Sequence, residues 1–425
     1  MKKLLIALGL LGTIGLAQAQ SSVQIYGLID ESVVSQTGKG LNATNMNSVT
    51  TIPSNIGFKG REDIGSGNGI GFDLNTGINL NSGNVGSPTA GVGGTTAQNG
   101  YEPQLGTSTL FYRAANISFD NAEIGTIKVG RQPTPQFVQS WTVDALSTAS
   151  GGMGVAFSLV GPGPFGGNGS LTGNFAAPVN PDMNQSNING VATNYANGIS
   201  YATPRWYGFK TTGFIGVMNG SSTTAGGSSL NSQAQQELLV DYVNGAYTGS
   251  ISYANVLDNT GHKQFSTVLA GLGYTLDKFT FKVDYYGAQF GTCSQNTLGG
   301  NCMNSAVSMS TTGTIVATSY APIGSTYGDN FNAYAAGVSY MATPALRLAV
   351  QYTSIKDQII SANQIGLSSV YADYALSKRT SLYALGSLSA NQGAANMGPI
   401  FGAPTRTPQN GQDITSVALG IRHTF

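Results

Sequence analysis

Downstream of its first twenty residues the chain alternates apolar and polar side chains in short stretches rich in Val, Ile, Tyr, Phe, Thr and Gly. Within 344–352, Leu346, Leu348, Val350 and Tyr352 share one face, and Arg347, Ala349 and Gln351 share the other. Phe279, Phe281, Val283 and Tyr285 alternate in the same way with Thr280, Lys282 and Asp284. A period of two belongs to strands whose faces meet different surroundings. No long segment offers the 3.6-residue spacing of an amphipathic helix. The pattern predicts sixteen strands, near 23–35, 55–64, 69–81, 109–120, 125–131, 191–202, 208–218, 236–244, 247–257, 264–276, 279–290, 331–342, 345–356, 364–376, 380–390 and 413–425.

The connections between these strands alternate in length. Short turns are expected at 65–68, 121–124, 203–207, 245–246, 277–278, 343–344 and 377–379. Between them lie long segments rich in Gly, Asn, Ser and Thr, at 82–108, 132–190, 291–330 and 391–412, with briefer ones at 258–263 and 357–363. Short turns on one rim and long loops on the other are the arrangement of a transmembrane β-barrel. A soluble sandwich has no reason to segregate its loops by length. Phe119, Tyr201, Trp206, Tyr207, Phe209, Tyr274, Phe279, Tyr340, Tyr374 and Phe425 all stand beside a short turn or the chain end. Amphipathic rings gather at the membrane–water interface, so they read as an aromatic girdle.

Composition narrows the classes further. Charged residues make up 9% of the 425, as 19 basic and 19 acidic, where a soluble domain carries about 25%. The basic excess of a nucleic-acid binder is missing, and 40% hydrophobic residues exclude a disordered chain. Lys2 and Lys3, the apolar stretch 4–16 and Ala17 and Ala19 around Gln18 read as a secretory signal peptide over 1–19, leaving 20–425 as a single barrel domain. No later stretch has the roughly 20 apolar residues of a spanning helix. A closed barrel is then the way to cross a membrane with every backbone group paired. Cys293 and Cys302 are the two cysteines, and in an oxidising compartment they read as a disulfide stapling a loop. Two thiols without a nearby His make a poor metal site, and no cofactor motif is present.

Five stretches carry a family resemblance. VQIYGLID at 23–30 and GFKGREDIG at 57–65 resemble the opening strands of the β-proteobacterial (Neisseria/Burkholderia-type) general porins. GTIKVGRQ at 125–132 looks like the strand leading into that family's constriction loop, SKRT at 377–380 like its penultimate hairpin, and LGIRHTF at 419–425 like its last strand. The resemblance implies a 16-stranded antiparallel barrel in the outer membrane of a Gram-negative bacterium. It also implies assembly as a homotrimer and a third long loop, here 132–190, folded into the lumen. That segment is richer in Gly and Asn than the family pattern. The alternating closing strand that ends in Phe425 would be read by the barrel-assembly machinery.

Alternation assigns wall charges to the lumen, where a pore selects small hydrophilic solutes and ions by its width and its charges. Lys59 and Arg61 oppose Ile56 and Phe58, Lys128 opposes Ile127 and Val129, and Lys210 opposes Phe209. Arg347 and Arg422 point inward by the same rule. Arg131 and Arg113 share the parity of outward residues; they need a rim position or a bulge, which Gly130 permits for Arg131. The acids of the inserted loop are Asp144 and Asp182, and Asp144 facing the basic wall would set a transverse field across the eyelet. Wall counting suggests a mild anion preference, and the acids of the mature chain push the other way.

Enzymatic activity is not expected. His262 and His423 are the two histidines, and Asp258 near His262 in a loop makes no triad. The sequence therefore reads as a passive outer-membrane diffusion channel. Two alternatives stand beside it. One is a substrate-specific channel with a binding site on 132–190, where Phe137, Trp141 and Phe157 offer stacking faces. The other is a barrel-anchored surface adhesin or receptor.

Overall fold

A computed structural model describes residues 22–81, 110–152, 195–217, 234–257, 263–290, 330–393 and 411–425 apart from 49, 112, 149, 359 and 360, together with 83, 85, 308–309, 315–316, 395, 398 and 399. The order of elements is β1 (Ser22–Gly38), β2 (Leu41–Asn47), β3 (Asn55–Gly65), β4 (Asn68–Gly77), β5 (Ala114–Asn121), β6 (Gly125–Pro133), α1 (Pro135–Val143), β7 (Tyr195–Ala202), β8 (Phe209–Val217), β9 (Ala234–Asn244) and β10 (Tyr247–Leu257). It continues with β11 (Lys263–Leu276), β12 (Phe279–Phe290), the two-residue β13 (Ser308–Met309) and β14 (Ile315–Val316), β15 (Asn330–Met341), β16 (Leu346–Asp357), β17 (Gln364–Ala375), β18 (Thr380–Gln392) and β19 (Ile414–Thr424).

β13 and β14 pair with each other, and the other strands form one 17-stranded sheet. The sheet closes because β1 pairs antiparallel with β19, from Leu28↔Thr424 to Gly38↔Ile414. On its other side β1 has two partners in succession, β3 along Ser22 to Leu28 and β2 along Ser32 to Gly38. β2 and β3 are two pieces of one stave, so the seventeen strands make a closed antiparallel barrel of sixteen staves. This is the architecture that the period-two pattern predicts.

Two elements differ from the pattern. The stretch after the first predicted strand is not a loop: β1 runs on to Gly38, turns at Lys39 and Gly40, and returns as β2. The sequence LNATNMN of β2 mixes polar and apolar residues on each face and so hides its strand. The second difference is α1, a nine-residue helix within the 132–190 segment. The side chains it buries include Gln136, Gln139 and Ser140. A helix that packs against a polar wall carries no apolar stripe for a periodicity search to find.

The barrel turns the usual arrangement inside out. Ile117, Ile127, Ile199, Ile215, Ile251, Leu272, Val283, Val350, Val370 and Leu419 point outward and are exposed. The ladder places Asp30, Ser32, Gln36, Asn116, Glu237, Ser252, Asp284, Gln351 and Ser416 on the opposite face, buried toward the lumen. An apolar exterior over a polar interior suits a wall between lipid and water. The aromatic girdle is in place at the short-turn rim: Tyr201, Trp206, Tyr207, Phe209, Tyr274, Phe279 and Tyr374 are exposed there. Phe279 and Tyr340 stack at 4.6 Å, and Tyr247 and Tyr274 lie at 5.0 Å. The turn at 65–68 uses left-handed backbone at Gly65, Ser66 and Gly67, as a tight hairpin requires.

Candidate functional site

Two segments leave the wall and enter the lumen. The first follows β6. Pro135 stands at the start of α1 with a free choice of φ already made for it, and the carboxylate of Glu237 on β9 accepts from the Gln136 amide at 2.8 Å. An anionic acceptor at a helix N-terminus satisfies an orphan donor and the dipole together. Gln136 then donates to Ser252 at 3.0 Å and accepts from Thr267 at 2.6 Å, while Gln139 donates to Ser250 at 2.9 Å and to the Leu269 carbonyl at 3.0 Å. These partners lie on β10 and β11, so α1 is zipped along one sector of the inner wall.

Beyond α1 the chain runs on along the neighbouring staves. Lys282 on β12 donates to the carbonyls of Thr142 at 2.5 Å and Asp144 at 3.0 Å. Arg347 on β16 donates to the carbonyls of Ala145 at 2.6 Å and Leu146 at 2.8 Å, and Gln351 accepts from the Ala145 amide at 2.9 Å. Leu146 is fully buried in an apolar cluster with Val34, Ala349, Tyr371, Tyr383, Leu385 and Ala418. Ser369 donates to the Gly151 carbonyl at 2.5 Å. Residues 135–152 thus lie across β9–β12 and β16–β18 inside the barrel.

The second inserted segment is 48–54, between β2 and β3. Thr51 reaches the carboxylate of Asp30 on β1 through both its amide, at 2.8 Å, and its hydroxyl, at 2.5 Å. Together the two segments cover the lumenal face from β9 round to β1.

The predicted site residues divide between covered and open sectors. Lys59 and Arg61 on β3 and Lys128 on β6 have lumenal register, as does Lys210 at the lower end of β8. They stand on the arc that the inserted segments leave open; Lys59 and Arg61 are exposed, and Lys128 and Lys210 are half-buried. Lys59 sits 4.8 Å above the Tyr26 ring, whose hydroxyl donates to Asp73 at 2.5 Å. Arg61 pairs with Asp120 at 2.7 Å. Arg113, ahead of β5, takes the rim position: it is buried and donates to the Pro53 carbonyl at 3.1 Å.

Two expectations need correction. Arg131 keeps the outward register of Ile127 and Val129, because the ladder passes it unbroken as Ala115↔Arg131 and Arg131↔Asn197. Gly130 does adopt φ 116°, but no bulge accompanies it. Asp144 lies inside the barrel but is fully buried, its carboxylate accepting from the amides of Leu146 at 2.6 Å and Ser147 at 3.3 Å. This is a local turn device rather than a charge open to the pore. Arg347 and Arg422 point inward as expected but are engaged, Arg347 by the loop carbonyls and Arg422 by Asp373 at 2.7 Å.

Sequence reasoning missed Glu237, Lys282, Leu146 and Asp30. The alternation that assigned Lys59 places Lys282 and Asp30 inward too, but which inward groups would meet an inserted segment is not written in any one strand. Phe137 and Trp141 contact each other edge to face at 5.6 Å and are half-buried. His423 accepts or donates a bond with Thr380 at 2.9 Å on the exposed short-turn rim. Asp182, Phe157, Asp258, His262, Cys293, Cys302 and residues 1–19 lie outside the described residues.

A closed barrel with an apolar exterior, a polar bore and a basic arc beside an inserted loop is a transmembrane channel. A profile of the Gram-negative porin family matches residues 6–393, and the chain belongs to that family. Among curated relatives, "Outer membrane porin protein 32" of Delftia acidovorans is 28% identical over 432 residues and an outer membrane porin of Bordetella pertussis 26% over 452, each comparison covering 100% of both chains. Among solved structures, an anion-selective porin from Comamonas acidovorans superposes with a TM-score of 0.65 at 20% identity, covering 96% of this chain and 100% of that one. A loop-deletion variant of OmpT of Vibrio cholerae gives 0.57 at 11% identity, covering 95% and 99%. The protein is accordingly an outer-membrane porin of a Gram-negative bacterium, a family of channels rather than enzymes.

Proposed function

We propose that the channel passes small hydrophilic solutes with a preference for anions, and that Lys59, Arg61, Lys128 and Lys210 set this preference. The observation that carries the reading is their common placement on the open arc while Asp144 is withdrawn from water. Asp73 and Asp120 share the arc and offset part of this charge, Asp120 through its ion pair with Arg61. Fixed cations beside a narrow bore concentrate anions and repel cations, with little screening where water is scarce. The Comamonas neighbour, whose likeness to this chain is one of fold, is an anion-selective porin.

The segment 132–190 acts as the constriction loop in this reading, supported by the position of 135–152 against the inner wall. We assign residues 1–19 to a leader removed on export and Cys293 and Cys302 to a disulfide. The mature chain works as a homotrimer and is inserted through recognition of the strand ending in Phe425. The deciding experiment is reconstitution in a planar bilayer with a KCl gradient. A reversal potential of the sign for anions supports the basic arc. A potential of the opposite sign overturns it, and a folded barrel that stays electrically silent removes the channel itself.

A further inference from the structure

The stave made of β2 and β3 is broken opposite β1. Its ladder ends at Leu28↔Asn55 and resumes at Ser32↔Asn47, so the seven residues 48–54 stand where three residues of β1, Ile29 to Glu31, await partners. Surplus chain has to leave the wall. The side it takes is decided by Asp30, which the ladder points into the lumen and which is fully buried. One carboxylate oxygen accepts from the Thr51 amide at 2.8 Å, the Thr51 hydroxyl at 2.5 Å and the Ile52 amide at 2.9 Å. The other accepts from the Tyr383 hydroxyl at 2.5 Å.

The missing ladder is replaced by a side chain: the Asp30 amide donates to the Ser54 hydroxyl at 2.9 Å, and that hydroxyl donates to the Asp30 carbonyl at 2.9 Å. Ser32 and Thr50 share a hydrogen bond of 2.7 Å, and Asn47 donates to Thr50 at 2.9 Å. Asp30, Ser32 and Tyr383 are all inward residues. The segment therefore sits within the bore.

We propose that residues 48–54 form a second lip of the channel, latched by Asp30, which limits solute size from the sector next to the end of the loop 135–152. The proposal rests on the porin reading. Tyr383 joins the two lips, because its hydroxyl is on Asp30 while its ring lies in the cluster around Leu146. The lip carries no charged residue, being SVTTIPS. It therefore acts on the width of the path and leaves the sign of selectivity to the basic arc that begins beside it on β3.

The test uses two variants of the full-length porin in planar bilayers. Asp30→Ala removes four acceptor contacts and should raise single-channel conductance about 1.5-fold and admit larger polyethylene glycols. Because that variant can fail at folding, Ile52→Cys provides a second reading. Its side chain is half-buried on the lip, and labelling with a bulky thiol reagent should lower conductance by about a quarter or more, with the wild type treated alongside as control. An Ile52→Cys channel that is labelled to completion by mass yet conducts as before overturns the lip, as does an Asp30→Ala barrel of unchanged conductance and size limit. A wild-type barrel without conductance sinks the porin reading itself and is distinguished from either result.

Discussion

Glu31 stands between Ile29 and Val33 on the outward face of β1, and both its carboxylate oxygens are buried without a hydrogen-bond partner. A carboxyl group on the lipid side of a barrel costs free energy, and among the described residues no hydrogen bond offsets it. Glu31→Leu should therefore stabilise the barrel by about 1 kcal/mol, seen as a higher denaturant midpoint in detergent; an unchanged or lower midpoint refutes this. Lys128 is the reverse case, a charge whose place on the open arc matters to ions and little to folding. Lys128→Glu should move the reversal potential toward cations while leaving the heat-modifiable band on a gel intact. Lys59, Arg61, Lys128 and Lys210 were legible in the sequence, because in a strand parity alone decides which face a residue takes. Asp144 was legible as a member of the inserted loop but not as a buried turn acceptor, since its partners are the amides of its own neighbours.

At the scale of elements, α1 and the loop behind it are held by few anchors, and each anchor is separately testable. Leu146→Ala empties part of this apolar cluster and should cost about 3 kcal/mol of local anchoring. Glu237→Ala removes the acceptor at the helix N-terminus and should cost about 2 kcal/mol. Both variants are expected to assemble normally, since the wall ladder is untouched, and to show noisier openings and faster protease cleavage within 135–152. Quiet traces and unchanged cleavage would show that the loop is fixed elsewhere. Strands were readable because each carries its own two-faced pattern. α1 was not, because its buried face is made of Gln and Ser matched to a polar wall. β2 was not, because Asn and Thr alternate there with Ala and Met rather than with a run of large apolar residues.

At the scale of the whole molecule, closure is the decisive event. The last residue makes it: Phe425 and Gly27 exchange backbone hydrogen bonds at 3.1 and 3.2 Å, and the Phe425 ring occupies the space that a side chain at 27 would need. Gly27→Leu or deletion of Phe425 should sharply reduce the yield of heat-resistant barrel in the outer membrane, measured by gel shift of the unheated sample. A normal yield would place the closing signal elsewhere. The sequence by itself determined the strand number, the inward and outward faces, the girdle and the outer-membrane setting. Each follows from local alternation and from the demand that lipid leaves no backbone group unpaired. Only the tertiary structure decided which inward charges stay open to the bore. That choice depends on where 48–54 and 135–152 land, and they land where Asp30, Glu237, Lys282 and Arg347, far apart in the chain, come to face them across the closed barrel.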